Sequence, residues 1–205
     1  MNMQESEKSK QRINLPNKLT IVRIILVPVC MLLILIPIPE VWAKILAASV
    51  FMLASFTDML DGLIARRFNL ITNFGKLMDP LADKLLTVGS LIAITASDLF
   101  AEIRPFVALV ATIVFFREFA VTSLRLVANS ADDNVIAANS VGKLKTIVQI
   151  VCIMTILLES VVLTNHLNTP DYLFSYITMA LMSALTIYSG VIYFKTYWVY
   201  VDPTK

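Results

Sequence analysis

Residues 58–83 read DMLDGLIARRFNLITNFGKLMDPLAD and set four aspartates, Asp58, Asp61, Asp79 and Asp83, between long apolar runs. Asp58 and Asp61 are spaced i, i+3 and Asp79 and Asp83 i, i+4, so each pair projects from one face of a helix. If the two helices form an antiparallel hairpin, the pairs meet at one end of it. Four ionised carboxylates in a low-dielectric site cost about 2.5–3.5 kcal/mol each even on a lenient insertion scale, with mutual repulsion added. Something positive has to offset them. Oxygen-only donors select hard cations, so two divalent ions, Mg²⁺ or Mn²⁺, are the expected cofactors, able to clamp a diphosphate while a phosphoryl oxygen bond breaks.

The neighbouring residues suit that chemistry. Gly62 and Ala65 let a bulky ligand approach the first helix, and Gly75 does the same one turn before Asp79. Pro80 removes the amide hydrogen that would bond the carbonyl of Lys76. Arg66 carries the planar fork that grips phosphate. The plainer reading has the aspartates capping helices and pairing with Arg66, Arg67, Lys76 and Lys84 at a membrane surface. Four such acids with this spacing, two glycines and an arginine favour the metal site.

The elements that position these residues follow from composition. The chain has 205 residues, 58% of them hydrophobic, and a mean hydropathy of +0.77, far too apolar for an ordinary soluble domain. Apolar stretches of about 20 residues, enough to cross a bilayer, fall near 21–38, 42–64, 77–97, 104–127, 144–164 and 173–194. The expected fold class is all-α: a polytopic membrane protein with six transmembrane helices as one domain over 21–205, preceded by a cytoplasmic or juxtamembrane segment over 1–20. Pro16 can open a helix there and Asn17 or Thr20 can cap one, with Lys18 and Arg23 turned to lipid phosphates.

Charge fixes the expected orientation. Lys8, Lys10, Arg12, Lys18, Arg23, Arg66, Arg67, Lys76, Arg125, Lys143, Lys145, Lys195 and Lys205 fall on one side of the six-span arrangement, and only Lys44 and Arg104 on the other. That side is the cytoplasmic one, with both termini and the aspartates facing it. The polar start has no small-residue cleavage site, so the first span is expected to direct insertion. Cys30 and Cys152 are isolated in apolar helices and read as core thiols. His166 falls in the last outer loop, on the wrong side for this chemistry. The net charge of +2 is segregated along the chain, and no nucleic acid partner is expected.

Asp58-x-x-Asp61-Gly62-x-x-Ala65-Arg66, eight residues, then Gly75-x-x-x-Asp79-x-x-x-Asp83 resembles the signature of the CDP-alcohol phosphatidyltransferase family, with all eight positions filled. The resemblance implies a six-helix membrane enzyme, often a homodimer, with an additional N-terminal amphipathic helix and a metal site open to the cytoplasm. In that family an alcohol attacks the phosphorus of a CDP-linked lipid and CMP leaves. Carried over, Asp58, Asp61 and Asp79 are metal ligands, and Asp83 is the general base, touching the second ion as well. Gly62, Arg66 and Thr72 line the CDP pocket together with Asp58 and Gly75, and Asn17 and Thr20 approach it from the N-terminal helix. A base makes chemical sense, because a sugar-type hydroxyl is too weakly acidic to attack unaided.

A second cluster bears on the acceptor. FFREFAVTSLRLV puts Arg117 and Arg125 eight residues apart, about 12 Å along a helix and about 80° out of register. GKLKT adds Lys143, Lys145 and Thr146, and five donors suit a phosphate dianion. Arg117 lies further into its span, with Glu118 as counter-ion or as an aid to the acceptor. These stretches, with PNKLTIVRIILVP and GKLMDPLADKLL, look like those of the phosphatidylglycerophosphate synthase branch of the family. That likeness implies CDP-diacylglycerol as donor, sn-glycerol 3-phosphate as acceptor, and a cell-membrane enzyme in contact with membrane lipids. The competing expectations are another acceptor (another phosphatidylglycerol, an inositol phosphate or serine) and, from another class, a cation transporter. Clustering of the acids at one membrane face, instead of across the midplane, argues against transport.

Overall fold

The computed structural model describes residues 15–68, 73–131, 140–162 and 172–201. Six helices make up these segments: α1 Leu15–Leu35, α2 Glu40–Arg67, α3 Asn73–Ala96, α4 Arg104–Ala131, α5 Ser140–Val162 and α6 Leu173–Val201. A single 3₁₀ turn, Asp98–Phe100, lies between α3 and α4, and there is no strand among the described residues. Five of the six helices are long and apolar enough to cross a membrane. The other is α3, whose first half carries Lys76, Asp79, Asp83 and Lys84.

The helices overrun the apolar windows at the end that carries the aspartates: α1, α3 and α5 start earlier, and α2, α4 and α6 end later. Residues 15–20, expected to form a juxtamembrane element, are the first turns of α1 and continue into it without a break. Likewise α2 runs to Arg67, and α3 already starts at Asn73. Hydropathy measures the stretch that suits hydrocarbon. A helix needs only its i to i−4 backbone bonds and continues through polar residues past that layer. The link between α1 and α2 is the short turn that the two prolines announce, with Pro39 as N-cap residue and Glu40 in the first turn of α2.

Helix α1 packs against both α2 and α3, α4 and α5 both pack on α6, and α2 closes onto α5. The core between them is built from Cys30, Ala47, Phe51, Leu91, Val107, Ile156 and Met182, among others. Both cysteines are free and buried in it, as core thiols should be. Large apolar side chains also point outward, including Trp42, Leu77, Leu109 and Phe116. Such an apolar exterior suits lipid as solvent.

Hydrogen bonds close the end of the bundle far from the aspartates. Lys44, only 1% exposed, pairs with Glu40, donates to Ser160 Oγ at 2.7 Å and lies 5.0 Å from the centre of the Phe100 ring. Glu159 accepts from the amides of Phe174 and Ser175 at 2.8 and 2.6 Å, so it caps the start of α6 from the neighbouring helix. Ser97 Oγ donates to the carbonyl of Ile34 at 2.8 Å and ties α3 to α1. With this end tied, the alternating helix directions bring the start of α1, the end of α2 and the start of α3 together at the other.

Candidate active site

All four aspartates gather at that second end. Asp58 lies within electrostatic reach of Asp79 and Asp83, and Asp61 within reach of Asp58 and Asp79. The i, i+3 and i, i+4 spacings therefore face each other across the α2–α3 hairpin, as expected from the sequence.

What sits between them was not expected. Arg23, assigned from the sequence to the lipid phosphates, is fully buried and bridges the first carboxylate pair. Its Nη1 lies 2.6 Å from Asp58 Oδ1, and its Nη2 bonds Asp61 Oδ2. Positive charge near a membrane boundary usually marks an interfacial anchor, but here the helix turn directs the side chain inward, where two carboxylates outcompete solvent and lipid. Thr20, one turn before Arg23, is likewise inside the helix and buried, not a cap. Its Oγ1 donates to Asp79 Oδ1 at 2.6 Å. Arg23 is the residue that sequence reasoning missed. The available signal was an arginine three residues after Thr20, on the same helix face and followed by an apolar run.

Among the remaining residues expected here, Asn17 is half-buried on α1, Gly62 half-buried on α2 and Gly75 buried on α3. Thr72 lies outside the described residues, as do the side chains of Ala65, Arg66, Arg67 and Lys76. His166 also lies outside them.

Next to the aspartates the basic residues converge. Asp83 is in electrostatic reach of Lys145, Arg23 and Lys84, Lys145 of Arg117 and Lys84, and Lys84 of Arg125 and Arg117. Buried Lys145 forms an ion pair with Glu118, which also accepts from Arg117 Nη1 at 3.3 Å. Glu118 is thus the counter-ion of two of the expected phosphate ligands. The hydroxyl of Thr146 is turned onto its own helix and donates to the carbonyl of Gly142 at 3.3 Å. The side chain of Lys143 lies outside the described residues. A separate groove of about 610 Å³ between α4 and α6 is almost wholly apolar, with Arg117 and Lys195 its charged lining residues. It includes none of the four aspartates.

The family model for CDP-alcohol phosphatidyltransferase matches residues 13–191, which span all six helices up to the middle of α6. This chain belongs to the CDP-alcohol phosphatidyltransferase family. Curated relatives include the CDP-diacylglycerol–glycerol-3-phosphate 3-phosphatidyltransferase of Bacillus subtilis (strain 168), 41% identical over 90% of this chain and 95% of that protein. The protein of the same name from Rickettsia bellii (strain RML369-C) is 38% identical over 89% of this chain and 94% of its own length. That from Salmonella choleraesuis (strain SC-B67) is 34% identical over 70% of this chain and 76% of its own length.

For a CDP-alcohol phosphatidyltransferase, the question raised by the acids is whether they fit divalent ions. The donor chemistry fits: four carboxylates, no thiol or imidazole, drawn together from two helices. As the side chains stand, Arg23 supplies the positive charge between Asp58 and Asp61, and Thr20 holds Asp79. No three His, Cys, Asp or Glu groups among the described residues are grouped closely enough to share one ion. A divalent ion held by these carboxylates would share them with the Arg23 guanidinium.

Proposed function

We propose that this CDP-alcohol phosphatidyltransferase transfers the phosphatidyl group of CDP-diacylglycerol to sn-glycerol 3-phosphate, giving phosphatidylglycerophosphate and CMP. The observation that carries this reading is the position of Lys145. It lies within electrostatic reach of both Asp83 and Arg117, so a group of phosphate-binding donors adjoins a carboxylate able to take a proton. An acceptor with both a phosphate and a free hydroxyl uses both halves. The names of the relatives point to the same pair of substrates.

In this reading Arg117, Arg125, Lys143, Lys145 and Thr146 hold the acceptor phosphate. The hydroxyl is thereby directed toward Asp83. Asp83 accepts its proton, the oxygen bonds to the phosphatidyl phosphorus, and the bond to the CMP oxygen breaks, its electron pair leaving with CMP. Asn17, Thr20, Asp58, Gly62, Arg66, Thr72 and Gly75 are assigned to the CDP moiety. Asp58, Asp61, Asp79 and Asp83 would hold two divalent cations, Mg²⁺ or Mn²⁺, whose charge offsets that of the diphosphate. Arg23 keeps Asp58 and Asp61 aligned and shares their negative charge.

The distribution of lysine and arginine supports six spans in the cell membrane with the site and both termini toward the cytoplasm. The family resemblance adds assembly as a homodimer.

The test uses purified protein in detergent with CDP-diacylglycerol and a panel of acceptors: glycerol 3-phosphate, glycerol, an inositol phosphate and serine. CMP release with glycerol 3-phosphate is expected; release only with another acceptor overturns the substrate assignment. Chelation by EDTA should stop turnover and added Mg²⁺ or Mn²⁺ restore it. Turnover that persists through exhaustive chelation overturns the metal assignment.

A further inference from the structure

Arg117 and Arg125 are separated by two turns and about 80° on α4, yet both guanidinium groups come to one aromatic ring. Arg117 Cζ lies 5.4 Å from the centre of the Tyr193 ring on α6, and Arg125 Cζ lies 5.9 Å from it. The two cations are close enough to disfavour one another. The negative face of the ring offsets part of that repulsion.

The ring is held firmly. Tyr193 is buried and stacks in parallel on Tyr197, centroids 6.1 Å apart at an interplanar angle of 3°. Both join Val121 and Leu124 in a small apolar cluster distinct from the main core. One glycine makes room for this arrangement and another adjoins it at ordinary contact distance. A Cβ on Gly190 would stand 3.3 Å from Arg117 Cγ, so the arginine stem runs against bare backbone. A Cβ on Gly142 would stand 3.6 Å from the Tyr193 hydroxyl, so the ring tip abuts the first turn of α5, which also carries Lys145.

A ring and a carboxylate do different things to an arginine. A carboxylate occupies the N–H fork, whereas a ring face neutralises repulsion and leaves the N–H edges available to a phosphate. Arg117 shows both. One nitrogen bonds Glu118, while its buried Nε has no hydrogen-bond partner.

We propose that Tyr193 is a positioning residue for the acceptor phosphate: its ring face gathers Arg117 and Arg125 into one anion-binding pair without itself occupying their N–H donors. This rests on the proposed function for the identity of the anion, not for the geometry. It gives α6, a helix with no ionisable residue in the acid site, a specific part in substrate choice.

The experiment compares wild type, Tyr193→Phe and Tyr193→Leu in CMP release, varying glycerol 3-phosphate and CDP-diacylglycerol separately. Tyr193→Phe keeps the face and is expected to hold the KM for glycerol 3-phosphate within about twofold. Tyr193→Leu loses both cation–π contacts and is expected to raise that KM about five- to thirtyfold. The KM for CDP-diacylglycerol should not move. An unchanged KM for glycerol 3-phosphate in Tyr193→Leu overturns the proposal, as does a loss in Tyr193→Phe equal to that in Tyr193→Leu. A parallel rise in both KM values also overturns it, since that pattern reports general loosening. If wild type releases CMP only with a different acceptor, the substrate assignment fails by itself. The same comparison made with that acceptor then decides the role of Tyr193.

Discussion

Arg23 Nη1 lies 2.6 Å from Asp58 Oδ1, and the same guanidinium bonds Asp61 from its other nitrogen, so one buried cation of α1 holds both aspartates of α2. The side chain of Asp61 is only 4% exposed. Removing the cation strands that charge, which typically costs about 3–5 kcal/mol. Arg23→Leu is therefore expected to lower Tm in detergent markedly. Arg23→Leu combined with Asp61→Asn should recover much of the stability and none of the activity. Unchanged melting of the single variant would contradict a structural ion pair.

The bond from Thr20 to Asp79 at 2.6 Å is the second tie between α1 and the acids. Hydrogen bonds to charged groups contribute about 1.5–3 kcal/mol. Thr20→Val keeps the shape and loses the donor, and CMP release should fall by about ten- to a hundredfold in kcat/KM. Thr20→Ser should retain most of the activity. A fully active Thr20→Val enzyme would show that Asp79 needs no donor from α1.

Asp83 is flanked by Lys145, Arg23 and Lys84, and Asp83→Asn preserves its volume while removing the proton acceptor. Turnover should drop by about 10²–10⁴-fold, the usual contribution of a positioned base. Elution profile and Tm should stay those of the parent protein. Full turnover by this variant removes the general-base role.

At the opposite end of the bundle, Glu159 accepts from the amides of Phe174 and Ser175. Glu159→Ala is expected to destabilise the protein by about 1–2 kcal/mol, as loss of a helix cap does. Both KM values should be unaltered. A selective change in one substrate's KM would show coupling between the two ends that the packing does not provide for.

The acids themselves were legible in the linear chain because helical spacing is a local property. Residues i, i+3 and i, i+4 share a face whatever the rest of the molecule does. Apolar windows located all six helices for a similar reason, although their ends were misplaced by several residues where polar sequence continues the helix. That Arg117, Arg125 and Lys145 converge was expected from their positions near the inner ends of their spans, but which partners they share was not legible. The pairing of Arg117 and Lys145 with Glu118, and of Arg117 and Arg125 with the ring of Tyr193, depends on α4, α5 and α6 meeting side by side.

Composition and periodicity alone determined an all-helical membrane protein, and residue spacing alone put its four aspartates in pairs on helix faces, since both follow from rules that act within a few residues. Tertiary structure decided which cation answers those aspartates. Arg23 looks like any positive residue at a membrane edge until α1 packs against α2 and α3. Packing chooses the partner because a charge that loses its water is settled by whichever opposite charge the neighbouring helix brings within reach.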